Sequence, residues 1–141
     1  MYRPAALLAL ICVAPLADAD AVACDGDKVE YTTFLSSVIP PRVAEAHDIV
    51  RSDRRLMANI TVLHQGKATT ARVTGSATNL LNQVTVLDFR EVTESDAIYY
   101  LASLVVAPRD TVRFDVTVLP AGSTQACKLQ FARDYYREGP S

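Results

Sequence analysis

The sequence predicts an all-β chain folded as a single antiparallel β-sandwich, immunoglobulin-like, of about seven strands, with one short helical turn between the first two strands. Three observations lead there. Apolar and polar residues alternate with a period of two along most of the chain beyond residue 27. Turn-forming clusters separate those runs at intervals of ~8–12 residues. Finally, the 141 residues are 50% hydrophobic and 21% charged, which is enough apolar matter for one packed domain and too much for a disordered chain.

Residues 1–23 read as a secretory signal peptide. Arg3 supplies the positive start and residues 5–16 the apolar stretch. Ala17, Ala19, Ala21 and Ala23 then offer three overlapping A-x-A frames. The apolar stretch is shorter than the ~20 residues a spanning helix needs, and no later stretch reaches that length, so no transmembrane segment is expected. The chain divides into a cleaved signal at 1–23, a sandwich domain at 24–134 and a flexible tail at 135–141. The expected location is the periplasm.

The elements follow in order. Residues 28–35 form the first strand. Pro40 favours an extended approach and Pro41 suits a first helical position, so residues 42–47 make a single helical turn. Leu56, Ala58, Ile60 and Val62 form one inward row, and the hairpin connection Gln65-Gly66-Lys67 follows. Ala71, Val73, Gly75 and Ala77 form the next row, with Arg72, Thr74 and Ser76 opposite. Residues 84–92 change phase between Val86 and Leu87, which reads as a bulge. Residues 97–106 are apolar almost throughout, as a central strand covered on both faces would be. Val112, Phe114, Val116 and Val118 give the clearest alternation, and Cys127, Leu129 and Phe131 close the series. Thr93-Glu94-Ser95-Asp96, Pro108-Arg109-Asp110 and Pro120-Ala121-Gly122-Ser123 mark the turns.

Cys12 lies in the signal, leaving Cys24 and Cys127. An even count in an exported domain reads as a disulfide joining the two ends. A lipid anchor at Cys24 competes with it. Ala21-Val22-Ala23-Cys24 resembles a degenerate lipobox and would make the protein a membrane-anchored lipoprotein. Against that, Ala21 stands where an aliphatic residue is usual, and Asp18 and Asp20 separate Cys24 from the apolar stretch. Two free thiols are the third possibility. A catalytic Cys–His pair is not supported, because Cys127 sits in an apolar alternation.

The formal net charge of −2 excludes the broad basic surface that nucleic-acid partners require. His47 and His64 lie in no metal-ligand spacing. Glu91, Glu94 and Asp96 crowd one hairpin without the spacing of a calcium loop. Asp25-Gly26-Asp27 reads as a solvated leader. Ser36, Ser37 and Ser76 lack a nucleophile elbow, five glycines make no phosphate-cradling loop, and the sequon Asn59-Ile60-Thr61 falls inside a strand. No catalytic residue, cofactor or metal is therefore expected, and a hydrolase built on Glu91 and Asp96 is the least favoured reading. Tyr99 and Tyr100 are adjacent and so point to opposite faces. With Arg90 and Glu91 they form a candidate binding surface for a small ligand or glycan, which requires one ring more than half exposed beside a concavity. The favoured reading is a non-enzymatic interaction or accessory domain with an unidentified protein partner in the cell envelope.

Four segments resemble a family of small exported proteins of Gram-negative bacteria, the domain of unknown function 4426 family. They are Ile39-Pro40-Pro41-Arg42-Val43-Ala44, Thr74-Gly75-Ser76-Ala77-Thr78-Asn79-Leu80-Leu81, Phe89-Arg90-Glu91-Val92 and Ala97-Ile98-Tyr99-Tyr100-Leu101-Ala102. The likeness spans residues 28–133. It implies a periplasmic β-rich domain and carries over no activity and no catalytic residue. The cysteine pair lies outside the matching segments, so the resemblance implies no bridge. Within them, Asn79 suits an unusual backbone angle or a side-chain bond where its strand ends, and Arg90 suits a carboxylate across the sheet.

Overall fold

The computed structural model of the chain describes residues 20–137. Most of the expected signal segment, 1–19, lies outside the described residues. Ten strands, rather than about seven, build two antiparallel sheets. They are β1 (Asp20–Cys24), β2 (Asp27–Leu35), β3 (Arg55–His64), β4 (Lys67–Ala68), β5 (Ala71–Thr78), β6 (Val84–Leu87), β7 (Arg90–Glu94), β8 (Ala97–Val105), β9 (Arg109–Pro120) and β10 (Cys127–Tyr136). One helix, α1 (Pro41–Ala46), follows a 3-10 turn at Ser36–Val38. The larger sheet runs β1-β2-β3-β8-β7, with β4 added on β3. The smaller runs β10-β9-β5-β6.

The extra strands have identifiable sources. Asp25 and Gly26 take positive φ, 50° and 86°, in a two-residue turn whose twist matches a tight hairpin. That turn folds Asp20–Cys24 back along β2, with Asp20 opposite Tyr31 and Cys24 opposite Asp27. The segment read as a solvated leader is therefore a β-turn, and the sheet begins four residues before position 24. The phase change at Leu87 is a change of sheet rather than a bulge. β6 pairs with β5 in the smaller sheet, and β7 pairs with β8 in the larger. The tail also differs from expectation. β10 continues to Tyr136, Tyr135 is buried, and its hydroxyl donates to the Asp53 carbonyl.

The predicted inward rows meet between the sheets. Leu56, Ala58, Ile60 and Val62 of β3 face Val112, Phe114, Val116 and Val118 of β9, all of them buried. Burial of a side chain of this size is worth ~1.5–3 kcal/mol, so these rows supply much of the driving force. A second, smaller cluster lies outside the larger sheet, where Ile39, just ahead of α1, and Ala44 of α1 pack with Met57, Phe34 and Leu101. β8 is thus central but covered on its outer side only around Leu101; Val105 is exposed.

β1 straps the two sheets together. Cys24 and Cys127 form a disulfide with Cα atoms 5.8 Å apart. The Arg133 guanidinium lies 2.6 Å from the Asp20 carboxylate, and Ser123 Oγ donates to Asp25 Oδ2 at 2.7 Å. Between them, Tyr31 and Phe131 stack at 4.5 Å across the sheets.

Candidate functional site

The loop between β5 and β6 inverts the usual arrangement of a turn. Its Asn79 and Gln83 side chains bond back within the loop to hold the backbone, and its apolar side chains face water. Asn79 Oδ1 accepts the backbone N–H groups of Leu81 at 3.0 Å and Gln83 at 2.9 Å. Asn79 Nδ2 donates to Gln83 Oε1 at 2.7 Å, and the Asn82 N–H donates to the Asn79 carbonyl at 3.0 Å. Asparagine is the residue type suited to such local side-chain-to-backbone bonding. The positive φ that the turn requires falls on Asn82, at 60°, rather than on Asn79. The Leu80 N–H is fixed from outside the loop by Oδ1 of buried Asp110, at 3.0 Å. Leu80 and Leu81 are thereby presented at 64% and 78% exposure.

The apolar surface continues along β6. Val84 pairs with Thr78 and Val86 with Ser76, so both valines point away from the core, at 64% and 82% exposure. Leu87, opposite Gly75, points inward and is buried. The outer face beside them is a shallow trough of about 510 Å³, with Ser76, Thr78 and Ala132 as its small residues and Arg113, Asp115 and Gln130 as its polar ones. β6 also forms an edge of the smaller sheet. The other edges carry protection of the kind that blocks strand pairing. β7 bears Arg90, Glu91 and Glu94, β10 bears Lys128, Arg133 and Asp134, and β1 is tied down by its three cross-sheet links. β6 reads Val-Thr-Val-Leu and has neither charge nor proline.

The surface predicted from sequence is divided by the sheet. Tyr100 is 5% exposed, and its hydroxyl accepts the Ala71 N–H at 2.9 Å. Burial pushes its pKa above the ordinary tyrosine value; the Ala71 N–H partly offsets this, and nearby Glu91 adds to it. Glu91 and Tyr100 share a cleft of about 340 Å³ on the inner side. Tyr99 is partly buried on the outer side, in a separate concavity rimmed by Glu94 and Asp96. Neither ring is more than half exposed, so the stated requirement for stacking on a sugar is not met. Among the described residues Arg90 forms no ion pair with a carboxylate. Its Nη2 donates to the His47 carbonyl at 2.9 Å, while His47 Nε2 lies 2.9 Å from Glu94 Oε1. Arg90 and Glu94 thus both engage His47, the residue that ends α1. His64, at the end of β3, is bonded through Nδ1 to Asp27 Oδ1 at 2.5 Å. Neither histidine partner was visible in the sequence, because each lies across a strand pairing or a packed helix.

The sequence profile of the domain of unknown function DUF4426 matches residues 22–138. The chain belongs to the DUF4426 family. A solved DUF4426 family protein from Pseudomonas aeruginosa PAO1 is 33% identical, covering 86% of this chain and 97% of its own, with a TM-score of 0.78. FetP of uropathogenic Escherichia coli strain F11 is 11% identical over 85% of this chain and 95% of its own, at a TM-score of 0.56. A copper-bound variant of FetP gives the same identity and TM-score over 84% of this chain. At that identity the likeness to FetP is one of fold alone. Among curated proteins there is no match. No three His, Cys, Asp or Glu side chains converge among the described residues, and both described cysteines are consumed in the disulfide. No helix among those residues is long and apolar enough to cross a membrane.

Proposed function

We propose that this DUF4426 domain is an exported protein of the Gram-negative cell envelope that acts by binding a protein partner, and that it docks through Leu80, Leu81, Val84 and Val86. The observation that carries the reading is the rigid display of these four side chains. An apolar loop held by its own side-chain bonds loses little further freedom on binding, so more of the contact energy appears as affinity. The adjoining uncharged edge strand offers its unpaired backbone groups to an extended segment, a recurring mode of peptide recognition. Export is supported by the A-x-A frames at the N-terminus and by the Cys24–Cys127 disulfide, a bond that persists in oxidising compartments.

The test is site-specific photo-crosslinking in living cells. A photoreactive side chain replaces Val86 or Leu81 in turn, and exposed Arg42 on α1 serves as the control position. The proposal expects a discrete crosslinked product from positions 81 and 86 and none from 42. Absence of product at 81 and 86, or equal products at all three positions, contradicts it.

A further inference from the structure

We infer that the leader is removed at the peptide bond between Ala19 and Asp20, so that the working protein begins at Asp20. The inference rests on the export reading above and adds to it the processing site. The sequence alone offers three frames with small residues at the positions a signal peptidase of the envelope recognises: Ala17/Ala19, Ala19/Ala21 and Ala21/Ala23. It also offers the lipobox-like cut before Cys24. The fold discriminates among them. A cut after Ala21 removes Asp20 and with it the ion pair to Arg133 at 2.6 Å. It also removes the pairings of Asp20 with Tyr31 and Ala21 with Glu30.

A cut after Ala23 removes all of β1 except Cys24. Val22, which packs against the main core, is then lost as well. That cut leaves the Tyr31–Phe131 stack and the β2 edge without their strap. Acylation of Cys24 in addition consumes the sulfur that is bonded to Cys127, a sulfur on a residue only 1% exposed. Of the three frames, only Ala17/Ala19 leaves every residue of β1 in place. The step is a hydrolysis in which the Ala19 carbonyl carbon gains the water oxygen as a carboxylate, and the Asp20 nitrogen leaves as a free α-ammonium group.

The test uses the full-length chain expressed in a Gram-negative host. The product is recovered from the periplasmic and membrane fractions for intact-mass measurement and N-terminal sequencing, with alkylation before and after reduction. The expected product is a periplasmic chain that starts at Asp20, carries no acyl mass and takes up two alkyl groups only after reduction. Ala19→Arg is expected to leave the uncut precursor, and Ala23→Arg to leave the cut unchanged. A product starting at Cys24 with acyl mass, or at any residue other than Asp20, overturns the site while leaving export intact. A wild-type chain that keeps Met1 and stays in the cytoplasm overturns the export reading itself.

Discussion

Tyr100, on β8 of the larger sheet, accepts through its hydroxyl the backbone N–H of Ala71, at the start of β5 in the smaller sheet, at 2.9 Å. Ala71 opens β5, where the chain crosses from the larger sheet to the smaller. A buried phenol accepts its N–H there. Tyr100→Phe keeps the ring and removes the acceptor, so it is expected to cost roughly 1–3 kcal/mol. Urea unfolding at neutral pH measures this.

The same residue sets a pH dependence. Burial holds the Tyr100 pKa above its ordinary value in the folded chain. The unfolded chain therefore releases the phenol proton first, near pH 10. The folded state then binds more protons than the unfolded one, so stability falls as pH rises from about 10 through the folded pKa. Unfolding midpoints between neutral pH and pH 11 are expected to fall less steeply for Tyr100→Phe than for the wild type. Parallel curves would show that Tyr100 does not contribute.

Gly75 in β5 marks a second close approach. A Cβ built there meets the Asp115 carbonyl oxygen at 2.6 Å and Val116 Cα at 3.1 Å, both backbone atoms of the neighbouring strand β9. Gly75→Ala must push the strands apart and is expected to cost about 1–3 kcal/mol. Thr74→Ala, on the exposed outer face one residue away, is expected to stay within ~0.5 kcal/mol. Thermal or urea unfolding of the two variants side by side checks the contrast.

The disulfide closes a separation of 103 residues. In the chain-entropy account such a loop stabilises by up to about 4–5 kcal/mol, less any strain. The Cys24→Ser/Cys127→Ser double variant is expected to lose a large part of that and to lose it without reductant present. A wild type that is insensitive to reductant, and a double variant of unchanged stability, would show that the strap is held by Asp20, Asp25 and the β1–β2 ladder alone.

The parts of this fold that were legible in sequence are those fixed by local alternation. The rows from Leu56 to Val62 and from Val112 to Val118 are buried as the period of two requires. Proline grammar placed α1 at Pro41 within one residue. Most of what was not legible depends on partners distant in the chain. Leu87 breaks phase both in a bulge and in a change of sheet, and only the pairing with Gly75 distinguishes the two. Asp20–Cys24 is a strand because the Asp25-Gly26 turn folds it onto β2, a local hairpin signal that also reads as a solvated leader; only its links to Cys127 and Arg133 come from more than a hundred residues away. The candidate site followed the same rule. Tyr99 and Tyr100 drew attention as aromatics, but their depth is set by β5 and β7. The signal that marks the apolar tip was present in Asn79-Leu80-Leu81-Asn82, two leucines where turn chemistry calls for polar residues.

The display of that tip is separable from folding. Leu81 and Val86 are largely exposed, so Leu81→Asp and Val86→Asp are expected to change stability by no more than ~0.5 kcal/mol. Circular dichroism and urea midpoints verify that the fold is kept before any binding result is read.

The most direct measurement compares the in-cell crosslinking yield from a photoreactive side chain at position 86 in the native-sequence chain with the yield in the chain carrying Leu81→Asp. Leu81→Asp places an unpaired carboxylate inside an apolar contact, a cost well above the ~1.4 kcal/mol that corresponds to tenfold, so the yield at non-saturating expression is expected to fall by roughly tenfold or more. An undiminished product in the Leu81→Asp chain, with the fold intact, contradicts docking through the β5–β6 tip.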